Sequence, residues 1–132
     1  MKLIHGWTLP AVALGLALAA PHAVSAQELP AGVTQAMVDQ GKTLFHGPAL
    51  CANCHGAGGV GSGIAPNLTD DTWLHSDGSY DAIVKQITTG VPQPKESMIP
   101  MLPKGGSGIT DDQVKIVAAY VYSLSKHTNL KK

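Results

Sequence analysis

The sequence is poor in aromatic residues and has no long apolar run. After position 26 its aromatic side chains are only Phe45, Trp73, Tyr80, Tyr120 and Tyr122. A domain of this size buries a modest fraction of its surface, and so few large side chains leave its core incomplete. The composition therefore predicts a large bound group that completes the core.

Arginine is absent, and the charges nearly balance. Residues 27–132 contain eight lysines and nine acidic residues, so their formal charge is about −1. A nucleic-acid-binding domain carries a clustered basic face, and no such cluster is present. Nucleic acid is therefore excluded as a partner.

The N-terminal segment has the pattern of a secretory signal peptide. A lysine at position 2 precedes a ten-residue apolar run, 11–20, and Val24-Ser25-Ala26 supplies the small residues of a cleavage site. The run is too short to cross a bilayer comfortably, so membrane attachment is expected only if this segment is retained. We assign 1–26 to the signal peptide, 27–33 to a flexible leader, 34–126 to the domain and 127–132 to a basic tail.

The domain is predicted to be all-α. One helix runs from Gln35 to about Phe45 behind Thr34, and a second from Tyr80 to about Thr89 before Gly90. The last helix follows the capping box Thr110-Asp111-Asp112-Gln113. No segment shows the period of a β-strand, and no repeat is present.

Both cysteines lie in Cys51-Ala52-Asn53-Cys54-His55, the Cys-x-x-Cys-His pattern of covalent haem attachment. One helical turn places two thiols where they form thioethers with the vinyl groups of one haem c. His55 then points its imidazole at the iron as the proximal ligand. Because this attachment takes place outside the bacterial cytoplasm, the pattern agrees with an exported, periplasmic protein.

Three other interpretations of the cysteines are weaker. A thiol–disulfide redox pair is expected near a βαβ pattern, which is missing. Zinc would need a fourth ligand such as His46 or His75, and adjacent Cys54 and His55 fit one tetrahedral site poorly. A structural disulfide across three positions closes too short a loop to stabilise the fold much.

The glycine-rich stretch after His55 includes Gly56-Ala57-Gly58-Gly59-Val60-Gly61, a literal Gly-x-Gly-x-x-Gly. A dinucleotide site requires this pattern between a strand and a helix of a βαβ unit, so we interpret it as a loop passing close to the haem. Downstream, Pro66 is predicted to offer the carbonyl that accepts the Nδ1–H of His55. The indole N–H of Trp73 is predicted to reach a haem propionate.

The second axial ligand is expected in the proline-rich stretch 91–103, which holds Met98 and Met101. A methionine thioether stabilises ferrous iron and blocks small ligands, whereas an open position would suit a haem enzyme or a gas sensor. From these residues alone, both methionines and the open site remain alternatives.

Taken together, these motifs resemble class I c-type cytochromes, and most closely the cytochrome c subunit of high-affinity bacterial haem-copper oxidases and related small soluble cytochromes. The resemblance rests on Gly41-x-x-Leu44-Phe45, Cys51 to His55, Pro66-Asn67-Leu68-Thr69-Asp70, Trp73, Gly90-Val91-Pro92, a Met-x-Pro loop, Ile109 to Gln113 and Ala118-Ala119-Tyr120-Val121. It implies three main helices around one haem, with the first and last crossing near Gly41, Phe45 and Tyr120. It also favours Met101, because Met101-Leu102-Pro103-Lys104-Gly105-Gly106 fits the family's spacing better than Met98-Ile99-Pro100.

The function implied by the resemblance is one-electron transfer between redox proteins of the bacterial envelope, such as an oxidase, reductase or dehydrogenase, and not enzymatic catalysis. Unlike the oxidase subunit, the chain has one haem motif and no long transmembrane segment, which suggests a soluble shuttle or a loosely attached subunit. Lys95 and Lys104 flank the methionine loop and are expected either to steer acidic partners or to be ordinary solvated lysines.

Overall fold

A computed structural model describes residues 29–126. The predicted signal peptide (1–26) and basic tail (127–132) lie outside these residues. The described part contains four α-helices: α1 (Gln35–His46), α2 (Cys51–His55), α3 (Tyr80–Thr89) and α4 (Asp111–Lys126). Two short 3₁₀ turns, Ala57–Gly59 and Pro103–Gly106, lie in the connections. The described residues form no β-strand, so the prediction of an all-α domain is confirmed.

The helices begin where the sequence predicts, because side-chain caps satisfy their first N–H groups. The Thr34 hydroxyl accepts a hydrogen bond from the Met37 N–H at 3.2 Å, and Ser79 caps α3 in the same way. At the start of α4, Thr110 accepts from the Gln113 N–H at 3.2 Å, while the Gln113 side chain accepts from the Thr110 N–H at 2.9 Å. This reciprocal pair is the predicted capping box.

Helices α1 and α4 cross at Gly41, as the resemblance implies. A methyl group at Gly41 would overlap the Ile116 carbonyl oxygen and lie 2.9 Å from the Tyr120 Cβ. One turn further on, the rings of Phe45 and Tyr120 meet edge to face, with centroids 5.3 Å apart. The glycine, unfavourable in a helix on its own, is therefore explained by the close approach of two backbones.

We expect Gly41→Ala to destabilise the fold. Overpacking a close contact costs about 1–3 kcal/mol, and this one involves backbone atoms that cannot rotate away. Because backbone atoms are involved, we expect a cost of about 2–3 kcal/mol, in the upper part of that range. Alanine regains roughly 1 kcal/mol of helix propensity, so the free energy of unfolding should fall by about 1–2 kcal/mol. Denaturant unfolding measures this change, with Gln40→Ala, at an exposed neighbouring position of α1, as the control. An unchanged midpoint for Gly41→Ala would contradict the close crossing.

Helix α3 packs against α4 and completes the core. Ile83 and Ile87 of α3 are buried, as are Val114, Val117 and Val121 on the facing stripe of α4. Within residues 29–126, no helix combines the length and apolar character that crossing a bilayer requires.

The boundary predicted between leader and domain needs one adjustment. Val33, assigned to the flexible leader 27–33, is buried in the core, and Leu29 packs against the same cluster. The Val33 N–H donates to the Pro30 carbonyl at 3.0 Å, which closes a turn before α1. Packing therefore begins before Thr34, because two apolar side chains ahead of the helix join or contact the core cluster.

Candidate functional site

A cavity of about 250 Å³ lies between the helices and the long connections. Most of its lining is apolar, with Phe45, Ile83, Ile87 and Val117 among the side chains at its walls. The structure brings all six of the predicted site residues to this cavity: Cys51, Cys54, His55, Pro66, Trp73 and Met101.

Helix α2 presents the two thiols. It follows Leu50, which adopts the left-handed conformation (φ 60°). Cys51 is partly buried and Cys54 exposed, and both are free thiols. The Cys51 thiol donates to the Ala49 carbonyl at 3.4 Å, and burial raises the pKa of Cys51 to about 11. A raised thiol pKa is the reverse of the lowered pKa that marks a redox-active cysteine, which weakens the thiol–disulfide alternative.

The imidazole of His55 is held by one hydrogen bond. Its Nδ1 lies 2.9 Å from the Pro66 carbonyl oxygen. A carbonyl can only accept, so Nδ1 carries the proton and Nε2 keeps a lone pair available for a metal. Burial lowers the pKa of His55, against the opposing effect of the Pro66 hydrogen bond, and so favours the neutral, ligating form.

Backbone hydrogen bonds fold the glycine-rich loop back onto α2. The Gly61 N–H donates to the His55 carbonyl at 2.7 Å, and the Leu68 N–H donates to the Gly59 carbonyl at 2.7 Å. The segment that matched a nucleotide fingerprint therefore wraps the histidine of the Cys-x-x-Cys-His turn. No strand precedes it in the described residues.

His46 has a role that sequence reasoning missed. Its Nδ1 lies 2.8 Å from the Lys42 carbonyl, and its Nε2 accepts from the Gly58 N–H at 3.2 Å. The imidazole therefore links the end of α1 to the glycine-rich loop. The contact with the Lys42 carbonyl could be expected from the sequence, because the two residues are four positions apart in a helix. The contact with Gly58 could not, because it depends on the tertiary fold.

The two histidines considered as a fourth zinc ligand are engaged elsewhere. His46 makes the two hydrogen bonds just described, and His75 Nε2 accepts from the Lys95 N–H at 3.2 Å. Across residues 29–126, no group of three or more His, Cys, Asp or Glu side chains is arranged to hold a metal ion.

The two methionines of the proline-rich loop lie in different environments. Met98 is fully exposed (100 %) and is not part of the cavity lining, whereas Met101 is partly buried and lines the cavity. The backbone of Met101 pairs with Val91 in an antiparallel bridge, with N–H···O distances of 2.8 and 3.0 Å. Further along the loop, the Ser97 hydroxyl donates to the Ile64 carbonyl at 2.6 Å.

Lys104 is not a free charge on this loop. Its ammonium group lies 2.8 Å from the Asp111 carboxylate, and this contact lowers the pKa of Asp111. The ion pair reduces the positive charge that Lys104 offers to a partner. Lys95 remains a separate exposed lysine.

Trp73 lies at the cavity wall and against Gly78. A methyl group at Gly78 would overlap the indole nitrogen, so the glycine admits the ring. The indole is partly buried and packs against the core. Its predicted contact with a haem propionate stays a prediction.

The cavity fits a large, mostly apolar group that carries iron. Leu50 and Leu102 line it, yet they are 45 % and 60 % exposed. A large apolar group bound in the cavity would cover such side chains. Gln86 also lines it, and its buried Oε1 has no hydrogen-bond partner among residues 29–126. An orphaned buried oxygen is costly unless a bound group or a water satisfies it. Two thiols, an imidazole with a free Nε2 and a thioether on this lining form the donor set of haem c.

Comparison with known proteins indicates the family of this chain. The family described as cytochrome c oxidase, cbb3-type, subunit III matches residues 36–121. The subunit CcoP of the cbb3-type oxidase of Rubrivivax gelatinosus is 48 % identical over 75 residues, covering 57 % of this chain and 22 % of that protein. FixP of Rhizobium meliloti (strain 1021) is 41 % identical over 91 residues, covering 67 % of this chain and 28 % of that protein.

The chain thus spans about a quarter of the length of these relatives. A solved structure, cytochrome cL from Methylophaga aminisulfidivorans, superimposes with a TM-score of 0.55 at 23 % identity, over 70 % of this chain and 56 % of the other. That likeness concerns the fold. The chain therefore belongs to the cbb3-type cytochrome c oxidase subunit III family and is a c-type cytochrome with the all-α class I fold.

Proposed function

We propose that the protein is a one-electron carrier that holds a single haem c through thioether bonds from Cys51 and Cys54. His55 Nε2 and Met101 Sδ are the proposed axial ligands. The observation that carries the proposal is that two thiols, an Nδ1-anchored imidazole and a thioether line one cavity.

When bound, haem c supplies an iron that accepts and releases one electron. The contribution of the chain is to fix the ligands and exclude water. The Pro66 carbonyl orients the His55 ring and increases its basicity. The Met101 thioether, neutral and soft, favours ferrous iron and raises the reduction potential. The apolar walls keep solvent from the ring.

We further propose that the carrier works in the periplasm, between a donor and an acceptor that are themselves redox proteins. The relatives are named as subunits of cbb3-type oxidases, which supports an oxidase as one partner. Electron-transfer encounters use small, transient interfaces. Because Lys104 is paired with Asp111, steering by the methionine loop would rely on Lys95.

Redox titration with carbon monoxide tests the carrier function. The purified holoprotein should show one reversible, one-electron transition, and its reduced spectrum should be unchanged under carbon monoxide at neutral pH, because two axial ligands leave no open position. Ready binding of carbon monoxide would favour a gas sensor or a haem enzyme instead. More than one transition would contradict a single haem.

A further inference from the structure

Met101 is placed by its backbone. The loop between Val91 and Met101 is rich in proline, and the bridge between these two residues closes it at its base. Val91 donates to the Met101 carbonyl and accepts from the Met101 N–H. Val91 is itself buried, at 7 % exposure, and lines the cavity beside Met101. The bridge thus fixes the backbone position from which the Met101 side chain extends.

Gly90 sets how closely the two segments approach. A methyl group at Gly90 would overlap the Met101 carbonyl oxygen and would lie 2.7 Å from the Pro103 nitrogen and 2.8 Å from the Leu102 carbonyl carbon. All three neighbours are backbone atoms, so no side-chain rotation can relieve the overlap. The φ of Gly90 is +70°, in the left-handed region that favours glycine.

Gly90 has little freedom to move away from this contact. It caps α3, and its N–H donates to the Gln86 carbonyl at 2.9 Å. Helix α3 is held against α4 through the buried Ile83 and Ile87. A side chain at position 90 would therefore displace the segment Met101 to Pro103, which lies in the connection to α4.

We propose that Gly90 is a positioning residue for Met101, because only a glycine there allows the Val91–Met101 bridge that presents the thioether to the cavity. The inference rests on the proposed ligation by Met101. Ligand groups must be held within about half an ångström of the productive geometry. A displaced bridge is therefore expected to weaken or break the proposed bond between Met101 Sδ and the iron. Covalent attachment at Cys51 and Cys54 should persist.

Gly90→Ala in the full-length holoprotein tests this, with Gly32→Ala as the matched control. Gly32 has a similar φ of +81°, but a methyl group there meets nothing within 4 Å. Both variants place an alanine at a positive φ, and only Gly90→Ala adds the overlap with neighbouring backbone atoms. Gly90→Ala should keep its covalent haem, gain carbon monoxide binding in the reduced state and show a lower midpoint potential. Gly32→Ala should match the parent in all three measurements.

The outcomes separate this inference from the proposed function. A parent that excludes carbon monoxide, with a Gly90→Ala variant that excludes it equally and keeps the same potential, would overturn the role of Gly90 alone. A parent that binds carbon monoxide readily would overturn Met101 ligation, and this inference with it.

If Gly90→Ala yields no holoprotein, the Val91→Pro variant tests the inference instead. It removes one hydrogen bond of the bridge without adding a methyl at Gly90. Parent-like exclusion of carbon monoxide by Val91→Pro would then overturn the inference.

Discussion

Met101→Leu is expected to lower the midpoint reduction potential and to let the reduced protein bind carbon monoxide. Leucine keeps the apolar volume but removes the sulfur that stabilises ferrous iron. Axial ligands tune haem potentials over roughly 0.8 V, and we expect a decrease on the order of 0.1 V or more. Potentiometric titration and carbon monoxide difference spectra measure the two effects.

Met98→Leu is the matched control for this experiment. It makes the same chemical change three residues away, at a side chain that is fully exposed and absent from the cavity lining. The variant should have the potential and the carbon monoxide exclusion of the parent. If Met98→Leu opens the iron and Met101→Leu does not, the assignment of the distal ligand is wrong.

Cys54→Ala is expected to remove most of the covalently bound haem. The change deletes one of two thioethers and leaves Cys51 alone, so the ring loses both a bond and its fixed orientation over His55. Haem staining of a denaturing gel, normalised to total protein, measures the loss, because only covalently attached haem survives denaturation.

Asn53→Ala provides the control for the cysteine experiment. Asn53 is exposed and lies between the two cysteines in the same helical turn, and its side chain is not among those that line the cavity. Its haem content should equal that of the parent. A normal haem yield in Cys54→Ala would contradict two-point attachment.

Local signals explain why the sequence predicted the helices well. Thr34, Ser79 and the Thr110–Gln113 capping box each satisfy N–H groups within three residues, so the start of a helix can be seen without the fold. Gly41 was also informative, because a glycine inside a helix suggests a close neighbour. The glycine alone could not show that Ile116 is the residue that it contacts.

Other interactions, in and around the site, depend on the tertiary fold. The Val91–Met101 bridge, the His46–Gly58 hydrogen bond and the Lys104–Asp111 ion pair all form only when loops and helix ends meet. Composition and periodicity contain no information about such tertiary contacts. For the same reason the residues alone left Met98 and Met101 as alternatives, until family spacing favoured Met101 and the structure placed its side chain at the cavity.

The central claim, that one haem is bonded to Cys51 and Cys54, is tested most directly by the intact mass of the purified protein after denaturation in acid and acetone. We predict a single species whose mass is that of the polypeptide plus one haem. The mass of the bare polypeptide, with the pigment released into the solvent, would contradict it.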